Sequence, residues 1–141
     1  MSNEMIPFEM SQEINVLTGN EPQPYVSFDV KTQEDAIRLY NAMNSPEIRL
    51  NQMINKTINM VDAVLVPCAL TNSETGEIQN GVRSIIIDDK GHSYSATSTG
   101  IMTSLRNLNA VFKTLHFEPP LKVTVKQVSV KKGNTLTLEL E

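Results

Sequence analysis

The segment TSTGIMTSLRNLNAVFKTLHF, residues 97–117, decides the fold. Ile101, Leu105, Leu108, Phe112 and Leu115 recur at alternating spacings of four and three, which places them on one apolar stripe of a helix. Thr97, Ser98 and Thr99 precede the stripe and offer a side-chain oxygen for the helix N-terminus. Pro119 and Pro120 follow it and stop the helix. Three strand-like runs come before this segment and two come after. A β-β-β-α-β-β order predicts a mainly β protein with α: a five-stranded OB-like Greek-key barrel whose helix plugs one end between the third and fourth strands.

The flanking strands follow from alternation. Residues 81–88 (GVRSIIID) and 92–97 (HSYSAT) predict the second and third strands, joined by a tight turn at Asp89-Lys90-Gly91. Upstream, 61–70 is densely apolar but holds Pro67, which a central strand tolerates only at a bend or bulge. That suits a long first strand serving two sheets, with 71–80 (TNSETGEIQN) as the polar loop after it. Beyond the helix, Leu121, Val123 and Val125 share one phase and Val128 and Val130 take the other, so a bulge is predicted at Lys126-Gln127. Residues 131–134 (KKGN) predict a hairpin turn, after which Leu136, Leu138 and Leu140 point inward.

The N-terminal part divides in two. Residues 1–24 lack a sustained period and read as an arm or loop. Residues 25–56 read as a β-α extension, with a strand at 25–30 and a helix at 32–44 capped by Thr32. Ala36, Leu39, Tyr40 and Met43 form the predicted apolar face of that helix, and 47–55 stays ambiguous. A lone β-α pair cannot bury its apolar faces, so the extension is expected to pack on the 57–141 barrel or on a second copy, as a homo-oligomer.

With 141 residues the chain has the size of one domain, large enough for a core without staples. Its single cysteine, Cys68, excludes an internal disulfide framework and is expected to be a buried small hydrophobe. No apolar run approaches the ~20 residues of a membrane helix, and the acidic, mixed N-terminus is no secretory signal. These features predict a cytoplasmic protein without membrane contact. The net charge of −4 is unevenly spread. Residues 1–80 hold four basic and eleven acidic side chains, whereas residues 81–133 hold eight basic and three acidic. Such asymmetry points to a polyanion partner on the basic half.

Catalytic and metal signatures are missing from the sequence. One cysteine and two distant histidines, His92 and His116, give no ligand cluster. No serine sits in a G-x-S-x-G turn, and no glycine pattern forms a phosphate loop. The expectation is a protein that is not an enzyme and uses no metal or cofactor. What remains is a surface. Lys122 and Lys126 alternate away from the apolar face of their strand, and Lys131 and Lys132 occupy the next turn. Arg83 lies on the second strand, Lys90 on its turn and Tyr94 on the third strand. On an OB barrel these positions surround the groove across strands two and three, where cations track phosphates and aromatics stack bases. Tyr94 is equally a core tyrosine with its hydroxyl at the rim. The rival reading is a structural or assembly protein that uses the barrel as a protein-interaction module, with the lysines as ordinary surface.

The segment from Val61 to Phe112, with its TGE loop (Thr75, Gly76, Glu77) and IIID strand (Ile85 to Asp88), resembles small single-stranded DNA-binding proteins of phages and mobile elements of Gram-positive bacteria. The closing strands KVTVKQVSVKKGNTLTLEL extend that resemblance over 57–141. It implies sequence-tolerant binding of single-stranded DNA in replication or recombination, inside a bacterial host cell, and leaves RNA open as a ligand. Two features depart from the cellular members of such proteins: aromatics are few, and no acidic tail extends beyond Glu139 and Glu141.

Overall fold

The computed structural model describes residues 24–71, 75–131 and 133–140. The predicted arm lies outside them except for Pro24, and so does Lys132. Within them the chain is mainly β with two long helices. Its strands are β1 (Tyr25–Val26), β2 (Ile48–Arg49), β3 (Thr57–Thr71), β4 (Ile78–Asp88), β5 (Ser93–Ala96), β6 (Leu121–Val130) and β7 (Gly133–Leu140). The helices are α1 (Gln33–Asn44) and α2 (Thr99–Phe112), with a short 3₁₀ turn at Leu50–Gln52.

One sheet holds every strand, in the order β2-β5-β4-β3-β6-β7, with β1 added to β3. β3 organises it. Met60 pairs with both Asp88 of β4 and Leu121 of β6, so β4 and β6 occupy opposite edges of β3. A register shift between Met60 and Asp62 bends β3 there. β6 leaves the edge after Met60, and β1 takes it over at Val64 and Leu65. The bend therefore falls at Met60–Asp62 and not at the proline. The Ala63 carbonyl accepts the Ser27 N–H and the Ala63 N–H donates to the Ser27 hydroxyl, both on the edge away from β4. Backbone groups alternate edges, so Pro67, four residues on, directs its missing N–H to that same edge, and its ladder to β4 is undisturbed.

The 97–117 segment departs from expectation at both ends. Ile101, Leu105 and Leu108 are buried as predicted, but the helix ends at Phe112. Lys113 closes it in the left-handed conformation (φ 66°). Leu115 and Phe117 enter the core from the following loop. Phe112, expected in the core, is 40% exposed and packs edge-on against Phe117 with ring centroids 5.3 Å apart. Ser98 caps nothing. Its hydroxyl instead accepts the Leu136 N–H at 3.2 Å and lies 2.8 Å from the Thr135 hydroxyl. Ser104, six residues on, repeats this, accepting the Leu138 N–H at 3.1 Å. β5 and β7 do not pair with each other, so these serines satisfy amides that a closing strand would otherwise take. The sheet is a curled half-barrel sealed along β7 by a helix.

The inner face of that curl is the main core, built from Leu50, Ile58, Met60, Ile86, Tyr94, Ile101, Leu105, Leu115, Val123 and Val125 among others. The outer face carries a second cluster of Val64, Ile85 and Ile87 covered by Ala42 of α1. α1 begins with a reciprocal capping box between Thr32 and Asp35. The backbone N–H of Lys31, with help from Thr32, holds the Asp35 carboxyl below the usual carboxylate range. Its buried face matches the predicted one in part: Leu39 and Met43 face the sheet as expected, joined by Ala42, whereas Ala36 is exposed and Tyr40 is 64% exposed. The buried carboxylate of Asp62 ties this layer down. It accepts from Arg38, from Ser27 at 2.8 Å and from the His116 ring at 2.7 Å, and the Arg38 guanidinium also lies over the Phe28 ring.

Three smaller expectations are corrected. The strand at 25–30 is only Tyr25–Val26. β4 starts at Ile78, so its hairpin with β3 is longer and its loop shorter than predicted. β6 and β7 pair in unbroken register from Val123↔Leu140 to Val130↔Gly133, so no bulge exists at Lys126-Gln127. Val128 and Val130 simply continue the outward phase of Lys126 on a hairpin that extends past the core.

Candidate nucleic-acid interface

β2 pairs with β5 in parallel, setting Arg49 beside Ser95, and Ser95 pairs with Ile85 of β4. Directly paired residues share a face of the sheet, and so do residues two apart on one strand. Arg49, Ser95, Ile85 and Arg83 therefore lie on the same outer face. Arg49 and Arg83 line one open cavity of about 520 Å³ with Asn51, Ser95, Ala96, Thr97, Ser98 and Leu136. A second, of about 420 Å³, shares Asn51, Thr97, Ser98 and Leu136 with the first and continues to Gln127, Asn134 and Thr135. Together they form a groove from β4 to the base of the β6–β7 hairpin.

Among the described residues its lining holds two arginines and a series of amides and hydroxyls, and no carboxylate and no aromatic ring. In a chain of net charge −4 this is a local concentration of positive potential. Arg83 donates to the Met43 carbonyl at 3.3 Å, completing the last turn of α1. That bond uses one of several guanidinium donors. Arg49 is exposed and has no hydrogen-bond or ion-pair partner among the described residues.

The predicted site residues do not converge. Arg83 is in the groove. Lys131 is at the tip of the hairpin that ends it. Lys122 and Lys126 share the outer face of the sheet with Arg83 but lie two strands away on β6, opposite in phase to Gln127, and the Lys126 ammonium sits 3.4 Å from the Asn55 side chain. Lys122 pairs with Asn59, whose carbonyl takes the Asp89 N–H, so Lys122 and Lys90 share the end of the sheet remote from Arg83. Tyr94 is corrected to a core residue. It is 6% exposed, and its hydroxyl donates to Asp88 at 2.8 Å. Burial, with the hydrogen bond to Asp88, pushes its hydroxyl up to about 12. A ring so enclosed has no face for a base. Asp88 also accepts the Lys90 and His92 N–H groups, so this carboxylate shapes the β4–β5 turn.

Arg49 and Asn51 were missed by the sequence reading. They fall in the ambiguous 47–55 stretch, in the acidic half of the chain, and only the two-residue pairing of β2 with β5 brings them to Arg83. Among the described residues no group of His, Cys, Asp and Glu could hold a metal, and no helix is long and apolar enough to cross a membrane. Cys68 is half-buried and free.

A curled β sheet carrying a groove with two arginines has the build of a polyanion-binding protein. The chain belongs to the phage single-stranded DNA-binding protein family, whose sequence profile matches residues 18–141. It is also 25% identical over 80 residues to the single-stranded DNA-binding protein of Bacillus phage GA-1, a match covering 55% of this chain and 47% of that protein. The match thus spans about half the length of that relative. No solved structure matches the chain.

Proposed function

We propose that this protein binds single-stranded DNA, without sequence preference, in the replication or recombination of a phage or mobile element. The observation that carries the reading is the groove of Arg49 and Arg83, lined by no carboxylate among the described residues of an acidic chain. Family membership and the similarity to the GA-1 protein support it. The strand follows the groove from β4 past β5 and β2 and leaves along the β6–β7 hairpin, where Lys131 and Lys132 add charge. Lys90, Lys122 and Lys126 lie off this path, outside the groove lining.

The fold reading goes with it. β3 to β7, in the order β5-β4-β3-β6-β7 with α2 between the third and fourth, correspond to the five strands and helix of an OB-like barrel over 57–141. In this reading residues 25–56 are its β-α extension and 1–24 an arm. The gap left between β5 and β7 is taken by α2 and its serines.

The test is a titration of the protein on oligo(dT), the matching RNA and duplex DNA at two salt concentrations. Affinity for oligo(dT) exceeds that for duplex and falls with salt, with a log–log slope of about −0.7 for each phosphate contacted. No affinity for oligo(dT) at low salt ends the reading. Equal binding to RNA widens the ligand class to single strands in general.

A further inference from the structure

We infer that the groove grips the sugar–phosphate backbone and leaves the bases outside, so that Arg49 and Arg83 carry the affinity and base stacking contributes little. This rests on the single-strand reading above and specifies how that strand is held.

The first ground is the placement of the two arginines. Arg49 and Arg83 are two strand spacings apart across the sheet and two residues apart along it, which puts their α-carbons about 12 Å from each other on one face. Arg49 is unengaged and Arg83 is engaged only through the Met43 carbonyl, so both guanidiniums have donors to spare. Guanidinium is the side chain best matched to phosphate oxygens. The other lining groups, Asn51, Ser95, Thr97, Gln127 and Asn134, are the short amides and hydroxyls that position a sugar–phosphate chain without reading its sequence.

The second ground is a census of the aromatics. Tyr94 is in the core, and Phe28 lies under Arg38. Phe112, the last residue of α2, and Phe117 of the following loop pack on each other. Tyr25 sits on the β3 edge, paired with Leu65, and Tyr40 projects from α1 outside the groove lining. No aromatic ring among the described residues lines the groove, and Phe8 lies outside those residues. A stacking platform needs such rings in register with the cations.

The test compares oligo(dT) with an abasic oligodeoxynucleotide of equal length, on the full chain and on Arg49→Ala, Arg83→Gln and the double variant. Arg83→Gln keeps a donor for the Met43 carbonyl, and Arg49→Ala touches no described partner, so the latter alone decides the matter if the former misfolds. The wild type binds the abasic strand within tenfold of oligo(dT). Each arginine variant flattens the salt slope by about 0.7 and the pair by about 1.4, so a fourfold rise in salt costs the wild type about sevenfold more affinity than the double variant. Lys31→Ala, on a residue paired with Asp29 away from the groove, leaves the slope unchanged. A more than tenfold loss on the abasic strand overturns the inference. So does a slope untouched in folded Arg49→Ala. In both cases oligo(dT) binding survives in the wild type, which separates this failure from failure of the single-strand reading.

Discussion

Gly100 and Leu136 are in closer contact than any side chain would allow. A β-carbon on Gly100 would lie 2.0 Å from the Leu136 carbonyl oxygen and 2.7 Å from the Thr135 hydroxyl. The first turn of α2 therefore rests directly on the backbone of β7, and the Gly100 N–H reaches the Thr135 hydroxyl at 3.2 Å. This approach lets Ser98 and Ser104 serve the Leu136 and Leu138 amides, and it sets one wall of the groove.

Gly100→Ala forces the helix off β7, because the nearest clashing atom, the Leu136 carbonyl oxygen, is backbone and cannot rotate away. The expected cost is ~3 kcal/mol in a urea melt. Loss of the Ser98 contacts should accompany it, seen as faster hydrogen exchange at the Leu136 and Leu138 amides. A variant as stable as the wild type would mean that helix and strand do not touch.

The α2 stripe should divide energetically. Leu105 is fully buried, and Leu105→Ala should cost ~2–5 kcal/mol by removing apolar contacts and leaving a cavity. Phe112 lies on the same stripe but is half out of the core, so Phe112→Ala should cost roughly 1 kcal/mol, mostly through its edge contact with Phe117. Equal losses would place Phe112 in the core after all.

Tyr94 makes the fold sensitive to alkali. Its hydroxyl is raised to about 12 in the folded protein, against about 10 for an unperturbed tyrosine. Between those values the unfolded chain has lost the proton while the native chain keeps it, so stability is full below about pH 10 and falls as pH rises toward 12. Tyr94→Phe should lose about 1–2 kcal/mol at neutral pH with the Asp88 hydrogen bond and should show a shallower decline above pH 10. Its affinity for oligo(dT) should match the wild type. A marked loss of DNA binding without loss of stability would return Tyr94 to the interface.

The two sets of lysines should behave differently. Lys131→Ala with Lys132→Ala should flatten the salt slope for oligo(dT) by up to about 1.4 if both contact phosphates, since Lys131 stands at the tip of the hairpin that ends the groove. Lys122→Ala with Lys126→Ala should leave it unchanged, because they lie on β6, two strands from Arg83, and out of phase with the Gln127 of the groove lining. The reverse result would move the DNA path across the outer face of β6.

The sequence by itself determined the elements whose signals are local. The α2 stripe, the alternation in β4 and β7, the Thr32 cap and the turn at Asp88 to Gly91 all follow from the chain's own periodicity and short-range hydrogen bonding. The phase change in β6 was misread because apolar valines continue on a solvent-facing hairpin, where no core enforces alternation. Tertiary structure alone decided the site. Arg49 meets Arg83 only through a parallel pairing across Ser95, a contact between residues far apart in sequence that no local pattern encodes. Tyr94 turned inward because Asp88, across the β4–β5 turn, could satisfy its hydroxyl and make burial of the ring favourable. The barrel gap was left to α2 because Ser98 and Ser104 provide hydroxyls at the spacing of β7's free amides, a match that exists only once helix and strand are packed.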